Sequence, residues 1–213
     1  MNARVGCIVL AAGGGARYGA RVSKLAAQLG DRPLLQYAID AACSSHATSC
    51  TLVVGARAAE VLVRVDTRRC QVLVNAAWQT GLAASLRCGL TAHPHDDGCI
   101  LMLGDQPFVS TTDLDRLINA FTRDRRAIVA LRSAGIWGAP VLFPHADFAK
   151  LARLRGDRGA KRFAETQRRR LRFVEATDEN AFADVDSASD LRRLAPQFRS
   201  GPRNSEIRQS QLP

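Results

Sequence analysis

The fold of this chain is decided by the stretch Val5-Gly6-Cys7-Ile8-Val9-Leu10-Ala11-Ala12-Gly13-Gly14-Gly15-Ala16-Arg17-Tyr18-Gly19. Val5–Leu10 is a short apolar run closed by glycines, the pattern of a strand buried on both faces. The three glycines that follow let backbone N–H groups approach an anion or a flat base closely. Arg17 and Lys24 add fixed positive charge suited to phosphates. The same residues also suit a plain strand-to-helix turn. Two familiar phosphate loops do not fit. A Walker A loop needs Lys-Ser/Thr after its second glycine, and Gly19 is followed by Ala20-Arg21. In the dinucleotide fingerprint Gly13 and Gly15 match, but Tyr18 stands where the third glycine belongs.

Outward from this stretch, strand and helix patterns alternate. Thr51–Val54, Val72–Val74, Cys99–Leu103, Ala127–Leu131, Val141–Phe143 and Leu171–Val174 read as strands. Between them, helices are predicted from Pro33 onward, with Pro in the first turn, and over Ala58–Val65, Leu82–Leu90, Ser110–Phe121, Asp147–Arg155 and Gly159–Arg168. Ser110, Thr111 and Thr112 offer caps for the fourth of these, with Asp113 and Asp115 in its first turn. Buried strands alternating with helices imply an α/β fold with a mostly parallel sheet covered on both faces. Ligands of such sheets bind beyond the carboxyl ends of the strands, which directs attention to the loops after Leu10, Val74 and Leu103.

The chain has 213 residues and a formal net charge of +10, with 46% hydrophobic residues. That suits one folded domain, expected over residues 1–195. From Pro196 to Pro213 the apolar period stops, and a disordered tail is expected. The apolar runs are too short for a membrane span or a signal peptide. The six cysteines include no C-x-x-C pair, so reduced thiols and a cytoplasmic location are expected. With two Trp and two Tyr, the basic residues lack aromatic neighbours for base stacking, which argues against nucleic acid. The excess charge is local: ten basic residues lie between Lys150 and Arg172, opposed by Asp157 and Glu165. A solvated helix face is one reading of this segment, and a positive wall for an anionic ligand or an acidic partner is the other.

Two carboxylate stations stand out. Asp105 follows the fourth strand in Gly104-Asp105-Gln106-Pro107, where it can hold a hard cation or stabilise a turn. Asp184 and Asp186 alternate in an extended segment ahead of a helix, which Asp186 or Ser187 can also cap.

Leu10-Ala11-Ala12-Gly13, with Arg17, Gly19 and Lys24, resembles the signature of Rossmann-like nucleotidyltransferases, most closely the molybdenum cofactor cytidylyltransferases. Four residues rather than the family's usual two separate Gly19 from Lys24, but Gly30-Asp31-Arg32-Pro33-Leu34-Leu35 matches the next block and keeps Lys24 as the phosphate lysine, with Arg21 the fallback. Trp78, Gly81, Ser85, Leu86 and Gly89 match a further block, and Gly138-Ala139-Pro140-Val141-Leu142-Phe143 resembles the acceptor block. Of these, Trp78 and Leu86 are expected in the core, and Gly81 and Ser85 at the site. The resemblance implies a Rossmann-like three-layer sandwich. It implies nucleotide binding by Leu10, Ala11, Ala12, Gly13, Gly14 and Gly15, together with Arg17, Lys24, Gly81 and Ser85. Arg17, Lys24 and Asp105 would be catalytic. Asp105, Asp184 and Asp186 would hold Mg²⁺, or Mn²⁺ in its place, and Gly138 and Pro140 would contact the acceptor. Leu-Ala-Ala-Gly is the cytidylyl version of the loop, whereas guanylyl relatives carry Leu-Ala-Gly-Gly.

The implied reaction joins CMP from CTP to Mo-molybdopterin and releases pyrophosphate, for delivery to a molybdenum hydroxylase. Other readings stay open: another phosphorylated acceptor such as a sugar or alditol phosphate, or a pterin carrier without turnover.

Overall fold

Helices and strands follow in the computed structural model, which describes residues 3–14, 23–156, 159–183, 185 and 187–198. β1 (Val5–Ala11) is buried at every position, as its uninterrupted apolar run requires. A small hairpin of β2 (Gln28–Leu29) and β3 (Arg32–Pro33) turns at Gly30, whose φ is +64°. Pro33 then caps α1 (Leu34–Ser44), one residue earlier than the first-turn place expected for it. β4 (Ser49–Val54), α2 (Ala58–Leu62), β5 (Gln71–Val74) and α3 (Leu82–Leu90) complete the first half. α2 stops three residues short of the predicted Val65. Val63 is 81% exposed where the helix stops, while Val65 is buried from the turn that follows.

The second half holds β6 (Gly98–Leu103), α4 (Thr111–Arg123), β7 (Ile128–Ser133), β8 (Ile136–Pro144), α5 (Phe148–Leu151), α6 (Gly159–Thr166), β9 (Leu171–Glu175) and α7 (Ala188–Leu194). β7 and β8 are longer than their apolar cores, because Ala134 and Gly135 both take positive φ and close a two-residue hairpin pairing Ser133 with Ile136. α5 ends at Leu151 instead of Arg155, and the chain reaches Gly156 in a left-handed conformation. Ser110 caps α4 and Ser187 caps α7, each exchanging hydrogen bonds with an Asp three residues on, Asp113 and Asp190.

The seven-stranded sheet runs β5-β4-β1-β6-β8-β7-β9. Every neighbouring pair is parallel except those that β8 makes with β6 and β7. The expected mostly parallel three-layer sandwich is therefore what the chain forms. Alternate residues of β1 sort to opposite faces: Val5, Cys7, Val9 and Ala11 join the core beneath α1 and α4, while Ile8 and Leu10 join the core beneath α3 and α5.

All six cysteines are free. Burial pushes the Cys7 and Cys99 thiols well above the usual thiol range, so they stay protonated. The stretch expected as a tail from Pro196 begins inside the fold. Phe198 is buried and packs edge-on against Tyr37 and Phe108, at centroid distances of 4.7 and 4.9 Å. One aromatic side chain suffices here because it fills a site between two others; a lone Phe without apolar periodicity gave no sign of it. Residues 199–213 lie outside the described residues. No helix among the described residues is long and apolar enough to cross a membrane.

Candidate active site

β1 and β6 are adjacent and parallel, so the loops after Ala11 and Leu103 leave the sheet side by side. The Gly104 N–H donates to the Leu10 carbonyl at 2.9 Å and carries the pairing one residue beyond β6. A Cβ on Gly104 would fall 2.6 Å from Leu35 Cδ1, so glycine here spares the buried leucine a shift at the point where Asp105 leaves the strand. Asp105 meets Lys24 there, with Oδ2 2.8 Å from Nζ. The two side chains are 25% and 12% exposed, which leaves both groups open to a ligand while excluding most water.

Lys24 begins a short 3₁₀ turn, Lys24–Ala26. The turn is held from behind: the Ser23 N–H donates to Glu60 Oε1 at 2.6 Å, and Glu60 is paired in turn with Arg57. Glu60 is thus a positioning residue that the linear sequence did not reveal, because it acts across thirty-seven positions.

The opposite wall comes from the segment after β5. Asn75 is buried; its N–H donates to the Val54 carbonyl at 2.7 Å, and its side chain does two further things. Nδ2 donates to Ser85 Oγ at 3.0 Å, and Oδ1 accepts from the Ala77 N–H at 3.0 Å. Ser85 therefore accepts from the protein and keeps its own hydroxyl proton for an acceptor in the cleft. Gly81, at φ +104° and ψ 176°, occupies backbone space open to glycine, and it places the N-terminus of α3 at the cavity.

These parts enclose a pocket of about 310 Å³. Leu10, Ala11, Ala12 and Gly13 line it together with Lys24, Asp105, Gly81 and Ser85. A Cβ on Gly13 would meet nothing within 4 Å, so its backbone faces open space. Trp78, expected in the core, lines the pocket and stays partly exposed, because its indole lies against Gly14 and its Cβ against Gly55. Leu86, grouped with it, is core as expected.

The structure thus brings together Leu10, Ala11, Ala12, Gly13, Lys24, Gly81, Ser85 and Asp105, and it adds Asn75, Trp78 and Glu60. Gly15, Arg17, Asp184 and Asp186 lie outside the described residues. Gly138 and Pro140 do not line this pocket. They lie in β8, beyond the Val141–Leu101 pair, toward the sheet end from which Asp105 emerges.

The basic segment is less uniform than its composition. Arg170 donates to both oxygens of the buried Asp147, at 3.0 and 2.8 Å, which makes it part of the fold. Lys161 donates to the Trp137 carbonyl and lies 5.0 Å from that indole's centroid. Arg168 and Arg169 are exposed.

Comparison with known proteins gives a consistent set of relatives. The model for the MobA-like NTP transferase domain matches residues 7–171. The crystal structure of a homologue of Mycobacterium tuberculosis Rv0371c, from Mycobacterium sp. strain JC1, superposes with a TM-score of 0.80 at 31% identity, covering 93% of this chain and 98% of that one. Rv0371c itself, from M. tuberculosis H37Rv and in complex with manganese, gives 0.74 at 30% identity, covering 91% and 98%. Nicotine blue oxidoreductase of Paenarthrobacter nicotinovorans is 26% identical over 88% of this chain and 94% of its own length.

Proposed function

This chain belongs to the MobA-like NTP transferase family, and from that membership we propose that it transfers CMP from CTP to Mo-molybdopterin, forming molybdopterin cytosine dinucleotide and pyrophosphate. The observation that carries the proposal is the Lys24–Asp105 pair lining one pocket with Gly13 and Ser85. A triphosphate is polyanionic, and the attacking phosphate is an anion too. A site for their union needs opposite charge and donors at fixed positions more than it needs a nucleophile.

Asp105 fits a hard divalent cation. It offers carboxylate oxygens at the end of a buried strand, inside a pocket and partly open to solvent. Asp184 and Asp186 are proposed to share that ion, Mg²⁺ or Mn²⁺; the manganese complex of the related Rv0371c supports the choice. When bound, the cation neutralises triphosphate oxygens and polarises the α-phosphorus.

The protein's own groups do the rest. Lys24, with Arg17, binds the phosphates and stabilises the charge that builds up on the pyrophosphate as it leaves. Gly13 lets the triphosphate or the base approach the backbone. Ser85, held by Asn75, donates to the nucleotide, and Trp78 closes the far wall. An oxygen of the acceptor's phosphate attacks the α-phosphorus, the bond to the β-phosphate oxygen breaks, and pyrophosphate departs. Gly138 and Pro140 are proposed to border the acceptor, and a molybdenum hydroxylase to receive the product.

Pyrophosphate release from CTP and Mg²⁺, measured with Mo-molybdopterin and with a panel of sugar and alditol phosphates, tests this reading. Turnover with the pterin and little with the panel is expected. Turnover only with another phosphate would move the acceptor. Tight pterin binding without pyrophosphate release would make the chain a carrier. Oxidation or reduction of nicotine blue without pyrophosphate release would align it with the P. nicotinovorans relative instead.

A further inference from the structure

Three thiols converge at the end of the sheet opposite the pocket. Cys43 lies in the last turn of α1, Cys50 near the start of β4, and Cys70 just before β5. β4 and β5 are parallel with Thr51 opposite Gln71, so Cys50 and Cys70 are the next pair in that register. α1 packs on β4 and brings Cys43 to them. The Cys70 sulfur is 3.4 Å from that of Cys43 and 3.3 Å from that of Cys50, and all three lie within 4.8 Å of one another. Cys50 is buried, while Cys43 and Cys70 are partly open to solvent. Among the described residues, no other group of three or more His, Cys, Asp or Glu brings its ligand atoms so close together. Cys7, opposite Cys50 in the sheet, stays apart, with its thiol on the Met102 sulfur at 3.6 Å.

We propose that Cys43, Cys50 and Cys70 form a three-thiolate site for a soft d¹⁰ cation, zinc(II) or copper(I). With metal–sulfur bonds of about 2.3 Å, tetrahedral or trigonal coordination separates the sulfurs by about 3.8–4.0 Å. Two of the observed separations lie within about 0.7 Å of that, and the third needs to close by no more than about 1 Å. Three sulfurs with no carboxylate or imidazole among them select a thiophilic ion over the hard cation suited to Asp105. Binding replaces each S–H with a sulfur–metal bond and releases one proton per thiol to solvent. The set then carries excess negative charge, and the Arg69 guanidinium, which donates to the Cys43 carbonyl, stands beside it.

The site serves structure, not catalysis. Cys50 is four residues from Val54, roughly 13 Å along the strand from the pocket end. An ion here adds a direct cross-link between the end of α1, the start of β4 and the entry of β5, which already pack or pair with one another.

The full-length protein, reduced and kept free of oxygen, is titrated separately with Zn²⁺, Cu⁺ and Cd²⁺. Native mass spectrometry reads stoichiometry, and the ultraviolet thiolate-to-cadmium charge-transfer band reads the ligands; a carboxylate site gives no such band. One ion per chain is expected, from the zinc or the copper arm, together with the cadmium band. Cys43→Ser and Cys70→Ser, at partly exposed positions that spare the core, should each weaken binding by about 100-fold or more, beyond the effect of losing an outer partner of a ligand. Cys88→Ser, at another partly exposed thiol outside the cluster, should bind as the parent does. Circular dichroism checks that each variant folds. Absence of the band, or unchanged affinity in the folded Cys43 and Cys70 variants, overturns the site. So does a Cys43–Cys70 disulfide formed in air by a protein whose reduced form takes up no ion.

Discussion

Lys24 Nζ stands 2.8 Å from Asp105 Oδ2, joining a loop after β1 to a loop after β6 across eighty-one residues. Each charge is partly desolvated and each faces the pocket, so the pair is poised to separate around a ligand that carries both cation and phosphate. Asp105→Asn and Lys24→Met are each expected to lower kcat for pyrophosphate release by about 10²–10³. Their circular dichroism spectra should match the parent's. The double variant should lose less than the product of the two single effects, because the groups act on one charge distribution.

Ala12 lies on the same side of the pocket as Gly13, with its side chain directed at Gly55. Shortening it removes a methyl from the wall where a base would lie. Ala12→Gly is therefore expected to admit a purine. The ratio of kcat/KM for CTP over GTP should fall by about 10-fold or more, in line with the discrimination one small apolar group supplies. Competition between the two nucleotides in a single assay measures it.

Asn75 stands behind Ser85, whose Oγ it holds at 3.0 Å at the pocket wall. Ser85→Ala should lower kcat/KM by about 10-fold, the worth of one neutral hydrogen bond and its orientation. Asn75→Ala should cause a similar loss. It should also destabilise the fold by about 1 kcal/mol, the net worth of the bond that the exposed Ala77 N–H loses. If Asn75 acts by orienting Ser85, the double variant turns over no more slowly than Ser85→Ala alone.

Sheet and cleft were legible in the sequence to different depths. β1, β6 and α3 announce themselves, since an uninterrupted apolar run closed by glycine has few other uses and Leu82, Leu86 and Leu90 share one helix face. Lys24 and Asp105 were legible as residue types in motif positions. What could not be read is anything made by two distant segments. Glu60 holds Ser23 across a helix boundary, and Asn75 meets Ser85 only because α3 turns back over β4 and β1. The thiol cluster has no local spacing signal; it is a product of the β4–β5 register. Ala134 takes positive φ, where its side chain predicts otherwise, so the β7–β8 hairpin extends past both apolar runs.

The cluster of positive charge late in the chain separates into structural and free parts. Arg170 grips the buried Asp147, with Lys150 4.0 Å from the same carboxylate. Arg170→Ala should cost about 3 kcal/mol, the lower end for a broken buried pair because Lys150 remains near. Chemical denaturation measures this, and pyrophosphate release below the new midpoint should be unchanged. Reversing Arg168 and Arg169, which are exposed, tests the electrostatic role without that confound. A raised KM for the acceptor, shrinking with added salt, would mark these residues as steering charge.

Phe198 closes the fold from a segment whose composition suggests none of this. Its ring lies edge-on to Tyr37 and Phe108, and its backbone crosses Gly30 so closely that a Cβ there would fall 2.2 Å from the Phe198 carbonyl oxygen. Gly30 also has φ +64°, so both its conformation and its neighbour demand glycine. Phe198→Ala should therefore destabilise by about 3–5 kcal/mol, as removal of a buried aromatic does. A chain ending at Leu194 should lose at least as much. The β2–β3 hairpin turns at Gly30, a few residues after Lys24, so the Phe198 variant should also bind nucleotide more weakly than its residual folded fraction accounts for. Nucleotide titration at a temperature where the variant remains folded separates the two effects. Unchanged affinity there would confine Phe198 to stability alone.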